Sequence, residues 1–313
     1  MSAWKARPPA VRVVPKHRAV YNHPQKEGLA VPELPEVETV VRDLRPRLGG
    51  RRIAAVWVGE KNLRRPYNPQ WTAKLIGKRI KSLSRRGKWI ILCLDKNIYL
   101  LFHLGMTGQL TVVGSEKPVL PHTHLIMGLN PTNRELAGER SLQLRFRDVR
   151  RFGSVTFFPN EMDLENFFNE TRLGPEPFDL DSIYWQNCLA RTSRCLKAVL
   201  LDQRVLAGVG NIYSDEALFE ARLHPKRMGR KIGSREAGRL RRAILTVLSR
   251  AIEKRGSSIR DYVRGNGHQG EYQEEFRVYG RAGEPCPRCR RPIRHIRLAG
   301  RSTHYCPGCQ RQS

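Results

Sequence analysis

Acidic residues are scarce in this chain. Asp and Glu total 29 against 57 Lys and Arg over 313 residues, a formal net charge of +28. Such an excess repels itself in the compact state, and a polyanionic partner offsets the repulsion. Nucleic acid is the commonest such partner; an anionic membrane surface or plain solubility is the blander alternative. Long apolar runs are missing too. No stretch reaches the ~18 apolar residues of a membrane-spanning helix, so no membrane span is expected. Cysteines are few and unevenly placed: Cys93, Cys188 and Cys195 are scattered, and the remaining four cluster near the C-terminus. An odd, clustered set argues against a secreted disulfide framework and for a metal site in a reducing, cytoplasmic compartment. There is no internal repeat. Hydrophobic residues make up 40% of the chain, enough for packed cores, which argues against wholesale disorder. The length fits two or three domains at ~100–200 residues each.

Residues 1–31 differ from the rest. They hold six basic residues, one acid (Glu27) and four prolines, with no apolar run long enough for a signal peptide. Ser2 is their only serine, which weakens a transit-peptide reading. Disorder, or a misassigned start, is expected here. Order is expected from Pro32. Val37, Val40, Val41 and Leu44 follow helical spacing, and Glu33, Glu36 and Glu38 suit the positive end of a helix dipole. Strand-like runs follow at Ala55–Val58, Trp89–Leu94, Ile98–Leu104, Gln109–Val113, Leu142–Phe146 and Ser154–Phe158, with Asp95-Lys96-Asn97 as a hairpin turn. Gly114–Pro121 and Gly128–Glu139 read as polar loops. Many short strands predict a β-sandwich or barrel-like domain. Beyond about Phe167 the pattern turns helical, with Leu240, Ile244, Val247, Leu248, Ala251 and Ile252 on one face. Gly265–Gly270 reads as a flexible polar loop.

Cys286-x2-Cys289 and Cys306-x2-Cys309 are separated by sixteen residues, a zinc-ribbon spacing. Two such turns complete a closed tetrahedral thiolate shell, which leaves no position for substrate, so one structural zinc is expected; iron–sulfur ligation is the alternative. The intervening hairpin carries Arg290, Arg291, Arg294, Arg297 and Arg301, charges suited to gripping phosphates.

Pro32-Glu-Leu-Pro-Glu-Val-Glu-Thr39 resembles the N-terminus of the bacterial formamidopyrimidine-DNA glycosylase (Fpg/MutM) family. Further matches follow in that family's order: Lys88 within Arg-Arg-Gly-Lys-Trp, His103-Leu-Gly-Met-Thr-Gly108, Arg150-Arg-Phe-Gly153, Leu173-Gly-Pro-Glu-Pro177, Gly208-Val-Gly-Asn-Ile-Tyr213 and Val278-Tyr-Gly-Arg281. The resemblance covers residues 32–313, and the first motif differs from the endonuclease VIII branch. It implies an α+β protein in four parts. These are the extension 1–31, an N-terminal β-sandwich domain over 32–165, a helix–two-turn–helix domain over 166–276 and a zinc ribbon over 277–313. It further implies a monomer that acts on damaged double-stranded DNA, removing oxidised purines and then cleaving the strand by β,δ-elimination. The same chemistry on oxidised pyrimidines, and a zinc-ribbon protein that binds damage without cutting, are the alternatives.

The resemblance assigns roles residue by residue. Pro32 is the implied nucleophile. An N-terminal amine ionises near 7.7–8.0, far below lysine, so more of it is free base at neutral pH, and it can form a Schiff base. Glu33 is the implied general acid; Lys88 and Arg301 are implied to serve the β- and δ-eliminations and to contact phosphate. Met106, Arg150 and Phe152 match the residues that fill the void left by an extruded base. His122, Lys197 and Asn211 match further DNA contacts, and Arg191, beside Thr192, is a candidate for another. The glycines of Gly208–Gly210 are expected to bring backbone N–H groups to a phosphate. Arg264–Gly270 falls where the family has a lid over the flipped base. One departure matters. Val31 precedes Pro32, so Pro32 as written carries an amide nitrogen. The expectation is initiation at codon 31, a GTG translated as Val, with the initiator then removed; cleavage of the extension, or a silent protein, are the other possibilities.

Overall fold

The structure is a computed structural model that describes residues 32–130, 141–257 and 270–312. The extension 1–31 and most of the Gly128–Glu139 and Arg264–Gly270 loops lie outside the described residues.

Helix α1 (Leu34–Leu48) opens the fold, with Glu33 at its N-cap and Pro35 in its first turn, where a missing N–H goes unnoticed. Eight strands follow: β1 (Arg52–Val58), β2 (Ile80–Arg86), β3 (Trp89–Leu94), β4 (Tyr99–His103), β5 (Gly108–Gly114), β6 (Thr123–Asn130), β7 (Leu142–Asp148) and β8 (Ser154–Phe158). A short helix, α2 (Gln70–Leu75), lies between β1 and β2. The strands make two antiparallel four-stranded sheets, in the orders β1-β6-β7-β5 and β2-β3-β4-β8. Burial alternates along them as the pleat requires, with Ile90, Leu92 and Leu94 inward on β3. The core between the sheets also takes in Val37, Val40, Val41 and Leu44 of α1.

The sandwich is thus present, but two strands are additional to the sequence reading. One of them, β6, takes Gly128–Asn130 out of the segment read as a polar loop. Its Leu125, Met127 and Leu129 point inward with period two, and it pairs with both β1 and β7, so the strand outruns the glycine that suggested a loop. The Asp95–Asn97 turn forms as expected, with Lys96 and Asn97 at φ 59° and 53°.

The helical part begins with α3 (Glu161–Glu170), capped by the Asn160 side chain, which accepts from Asp163 N at 2.9 Å. It continues through α4 (Ser182–Ala190), α5 (Leu196–Leu201), α6 (Asn211–Glu220) and α7 (Ser234–Glu253). The expected apolar face of α7 is buried along its length against α6 and α4. Leu34 belongs to this second core, not to the sandwich core, so α1 has its first residue in one domain and its body in the other. The chain closes with the hairpin β9 (Arg294–Leu298) and β10 (Arg301–Tyr305), turned by Ala299 and Gly300 at φ 49° and 71°. Its base packs on α6 through Phe219, Val278 and Ile293. No helix among the described residues is long and apolar enough to cross a membrane.

Leu248 of α7 is fully buried. Leu248→Ala should lower stability by about 2–5 kcal/mol through lost contacts and a residual cavity. A urea midpoint equal to wild type would show that this helix does not carry the second core.

Candidate active site and DNA-binding cleft

The start of α1 is fastened to the start of α6. Leu34 N donates to Gly208 O at 3.0 Å. The Glu33 carboxylate accepts from Gly210 N at 2.6 Å and Ile212 N at 2.9 Å. An anion thus sits on the positive end of α6, where unpaired N–H groups need acceptors. Glycine is required for this approach. A Cβ on Gly210 would lie 2.4 Å from Glu33 Cδ, and one on Gly208, at φ +83°, 2.7 Å from Leu34 Cδ1. Glu36 closes the arrangement. It accepts from Glu33 N at 2.9 Å, from the Tyr213 hydroxyl at 2.5 Å and from Ser257 N at 2.8 Å. Pro32 is buried at the end of this structure.

Burial dominates the electrostatics here. It pushes the Glu33 carboxyl up to about 7, against the opposing pull of nearby Lys88 and the α6 N–H groups. Glu36 is raised by burial as well. Lys88 is lowered by burial; Glu33 and Glu36 oppose the shift, and Arg301 reinforces it. The structure therefore brings Glu33, Lys88 and Arg301 into one electrostatic neighbourhood, although they come from α1, the β2–β3 turn and the ribbon hairpin. His103 is held down to about 4, by burial first and then by Lys88, so it stays neutral at physiological pH. The Lys88 turn has its own clamp. Glu176 accepts from Arg85 Nη1 at 2.7 Å, Arg86 Nη1 at 3.0 Å and Gly87 N at 2.5 Å.

Met106, Arg150 and Phe152 sit on two adjoining loops. Met106 is half-buried, Arg150 is exposed, and Phe152 is 44% exposed rather than core. The Arg150 guanidinium lies 4.8 Å from the centroid of the Phe152 ring. Asp148, fully buried, joins the loops: it accepts from Thr107 Oγ1 and from Gly153 N at 2.7 Å. The Arg150 N–H donates to Thr107 Oγ1 at 3.0 Å. His122 is exposed at φ +68°, and its carbonyl accepts from Asp148 N at 2.9 Å. Arg191 is exposed at the C-terminal end of α4. Asn211 begins α6, and its side-chain Oδ1 is buried without a hydrogen-bond partner among the described residues.

Two expectations are corrected. Lys197 is not an open phosphate contact. It is fully buried, and its Nζ donates to Asn211 O at 2.9 Å, Ser214 Oγ at 2.7 Å and Asp215 Oδ1 at 2.5 Å. An ammonium has three donors, and all are used. The Gly208–Gly210 turn is not an open phosphate cradle either, because Glu33 takes the Gly210 and Ile212 N–H groups. Asp148, Asp215 and Glu216 carry no local sequence signal. Asp148 binds nearby Gly153 N and distant Thr107, and the partners of Asp215 and Glu216 lie mostly far along the chain; Glu216, for example, accepts from Val278 N and Tyr279 N. Glu176 and Tyr213 lie within quoted motifs, so the motifs marked them without showing what they hold.

The four clustered cysteines fit zinc. Their sulfurs all lie within 4.8 Å of one another, with Cys286 to Cys309 at 3.8 Å and Cys289 to Cys306 at 3.3 Å. Four thiolates around Zn²⁺ at ~2.3 Å are separated by about 3.8 Å in a tetrahedron. Backbone N–H groups of Arg288 and Cys309 point at sulfurs, each at 3.4 Å. The ribbon holds one structural zinc.

Comparison with known proteins agrees with this geometry. The formamidopyrimidine-DNA glycosylase N-terminal domain model matches residues 31–155, and the H2TH domain model of the same enzymes matches 173–263. A zinc finger found in FPG and IleRS matches 283–312. The formamidopyrimidine-DNA glycosylase of Desulforamulus reducens is 41% identical over 285 residues, covering 90% of this chain and 99% of its own. That of Heliobacterium modesticaldum is 44% identical over 292 residues, covering 90% of this chain and 100% of its own. Wild-type Lactococcus lactis Fpg with an N7-benzyl-Fapy-dG containing DNA superposes with a TM-score of 0.81 at 35% identity. The complex of that Fpg with an abasic site containing DNA gives 0.80 at 34%; both cover 90% of this chain and 100% of theirs.

Cys306→Ser opens the closed sulfur shell. The variant should lose zinc and its ribbon should unfold, since metal binding and folding are one event at such sites. Metal analysis should find well under one zinc per chain, and binding to duplex DNA should weaken; full zinc content would contradict the ligand set.

Proposed function

The chain belongs to the formamidopyrimidine-DNA glycosylase family of base-excision-repair enzymes, and from that premise we propose that it is bifunctional, excising oxidised purines and then cutting the strand. Its substrates are 8-oxoguanine and formamidopyrimidine lesions in duplex DNA. The observation that carries the reading is the buried Glu33 carboxyl beside Pro32, held on α6 and pushed up to about 7. A carboxyl with that affinity is substantially protonated near neutrality and can act as an acid.

The Pro32 nitrogen attacks C1′ of an extruded nucleotide, and the base leaves with the glycosidic electron pair. Glu33 protonates O4′ as the ring opens, leaving an iminium between Pro32 and C1′. Loss of a C2′ proton then expels the 3′-phosphate, with Lys88 moving the proton. A second elimination, served by Arg301, expels the 5′-phosphate and leaves a one-nucleoside gap. Met106, Arg150 and Phe152 occupy the space the base vacated, and Phe152 suits this because it is already exposed. His122, Arg191 and Asn211 contact the phosphate backbone. Zinc shapes the ribbon and takes no part in the chemistry.

The nucleophile must be a free amine, because an acylated proline has no available lone pair. The reading therefore requires an active chain that begins at Pro32. Two observations support this. The family match begins at residue 31, and nine-tenths of this chain spans the relatives' full length. N-terminal sequencing of active enzyme tests it: residues ahead of Pro32 in a fully competent preparation would overturn the mechanism. Borohydride should trap a covalent adduct on duplex DNA containing 8-oxoguanine, mapping to Pro32. Pro32→Gly should trap less while still binding DNA. Tight binding without any adduct, in correctly processed protein, would instead favour a damage-binding protein that does not cut.

Glu33 makes a separate prediction. Excision needs its proton, whereas a preformed abasic site is a hemiacetal that opens to its aldehyde without the enzyme's acid. The ratio of excision rate to abasic-site cleavage rate should fall as pH rises through about 7, where Glu33 loses its proton. Glu33→Gln should lower single-turnover excision by about 10²–10⁴-fold and abasic cleavage far less. Equal losses in both assays would remove Glu33 from the acid role.

A further inference from the structure

Asp215 lies in the second turn of α6 with its carboxylate fully buried. Its Oδ1 accepts from Lys197 Nζ at 2.5 Å. Its Oδ2 accepts from the backbone N–H of His304 at 2.8 Å, with His304 Nδ1 3.3 Å from the same oxygen. His304 and Arg301 both lie on β10, three residues or about 10 Å of strand apart. Lys197 in turn braces Asn211 O and Ser214 Oγ, in the first turn of the helix that receives Glu33. One carboxylate therefore touches both the helix end that positions the acid and the strand that begins with Arg301.

Stability is a poor explanation for such a pair. Two charges fully withdrawn from water seldom outperform an apolar pair of the same volume. What the pair supplies is direction. A carboxylate accepts along defined lines, and here one of those lines fixes a peptide N–H on the ribbon strand. The two-residue turn at Ala299–Gly300 has no such fixture of its own among the described contacts, so the placement of Arg301 depends on where β10 is docked.

We propose that Asp215 is a positioning residue that docks β10 on α6 through the His304 N–H and so holds Arg301 at the reacting sugar–phosphate. The proposal rests on the reading of Arg301 as the group serving the second elimination. It makes the acceptor at Asp215 a determinant of how far the reaction proceeds once the base is gone.

The test measures the ratio of second- to first-elimination product on a duplex with a preformed abasic site, using full-length, zinc-loaded enzyme. Single replacement of Asp215 would strand the Lys197 charge and risk unfolding, so the pair is replaced together. Lys197→Met with Asp215→Leu is neutral but offers His304 N–H no acceptor. Lys197→Met with Asp215→Asn is equally neutral and keeps an oxygen for it. Relative to the Asn version, which shares Lys197→Met, the Leu version should lower the product ratio by about tenfold, the cost of a displaced catalytic group, with 8-oxoguanine excision equal in the two. The Asn version should restore the ratio. Arg301→Ala is the reference. If it lowers the ratio and the Leu version does not, the proposal is overturned and the reading of Arg301 stands. If Arg301→Ala leaves the ratio unchanged, that reading falls and takes the proposal with it. Equal product ratios in the Leu and Asn versions, or a Leu version that loses excision and both eliminations alike relative to the Asn version, would show Asp215 to be merely structural and also overturn it.

Discussion

The rest of the molecule depends on one carboxylate meeting one helix end. Glu33 caps α6 across the boundary between two independently packed cores, and the contact is possible only because Gly208 and Gly210 carry no side chains. The charge–dipole attraction that makes the cap favourable competes with burial, and burial wins, raising the carboxyl to about 7 so that protonated and ionised forms coexist near neutrality. Structure and chemistry therefore draw on the same contact. The residue that joins the domains is the one whose protonation the proposed mechanism uses.

This internal role of acids explains how so basic a chain holds together. Glu33, Glu36, Asp148, Asp215 and Glu216 are buried, and each accepts backbone N–H groups as well as, or instead of, pairing with a surface cation. Glu176 does the same at the domain junction, binding Gly87 N together with two arginines. Other acids, among them Glu60, Glu116, Glu161 and Glu284, are exposed, as are arginines of the ribbon and of the Arg150 loop.

Much of the fold was legible in sequence, for identifiable reasons. Periodicity marked α7 because it buries a single stripe, and α1 because Val37, Val40, Val41 and Leu44 face one core even though its first turns are buried all round. The cysteine spacing marked the ribbon because metal geometry leaves little freedom. Strand β6 escaped because Gly128 interrupts an alternation that its two neighbours nonetheless hold in place. Lys197 was assigned to DNA by resemblance alone, and only the structure shows its three donors spent on α6. Motifs located Glu33, Tyr213 and Glu176, but which groups each of them binds is a matter of pairing between distant segments, and no local pattern carries that.

The split of α1 between two cores has a mechanical consequence. Leu34 is embedded in the helical domain, and Val37 onward in the sandwich. One continuous helix is thus fixed in two separately packed cores, like a rivet through two plates, so a strain that parts the cores is borne by the backbone beside Glu33 as well as by the Glu176 clamp on the β2–β3 turn.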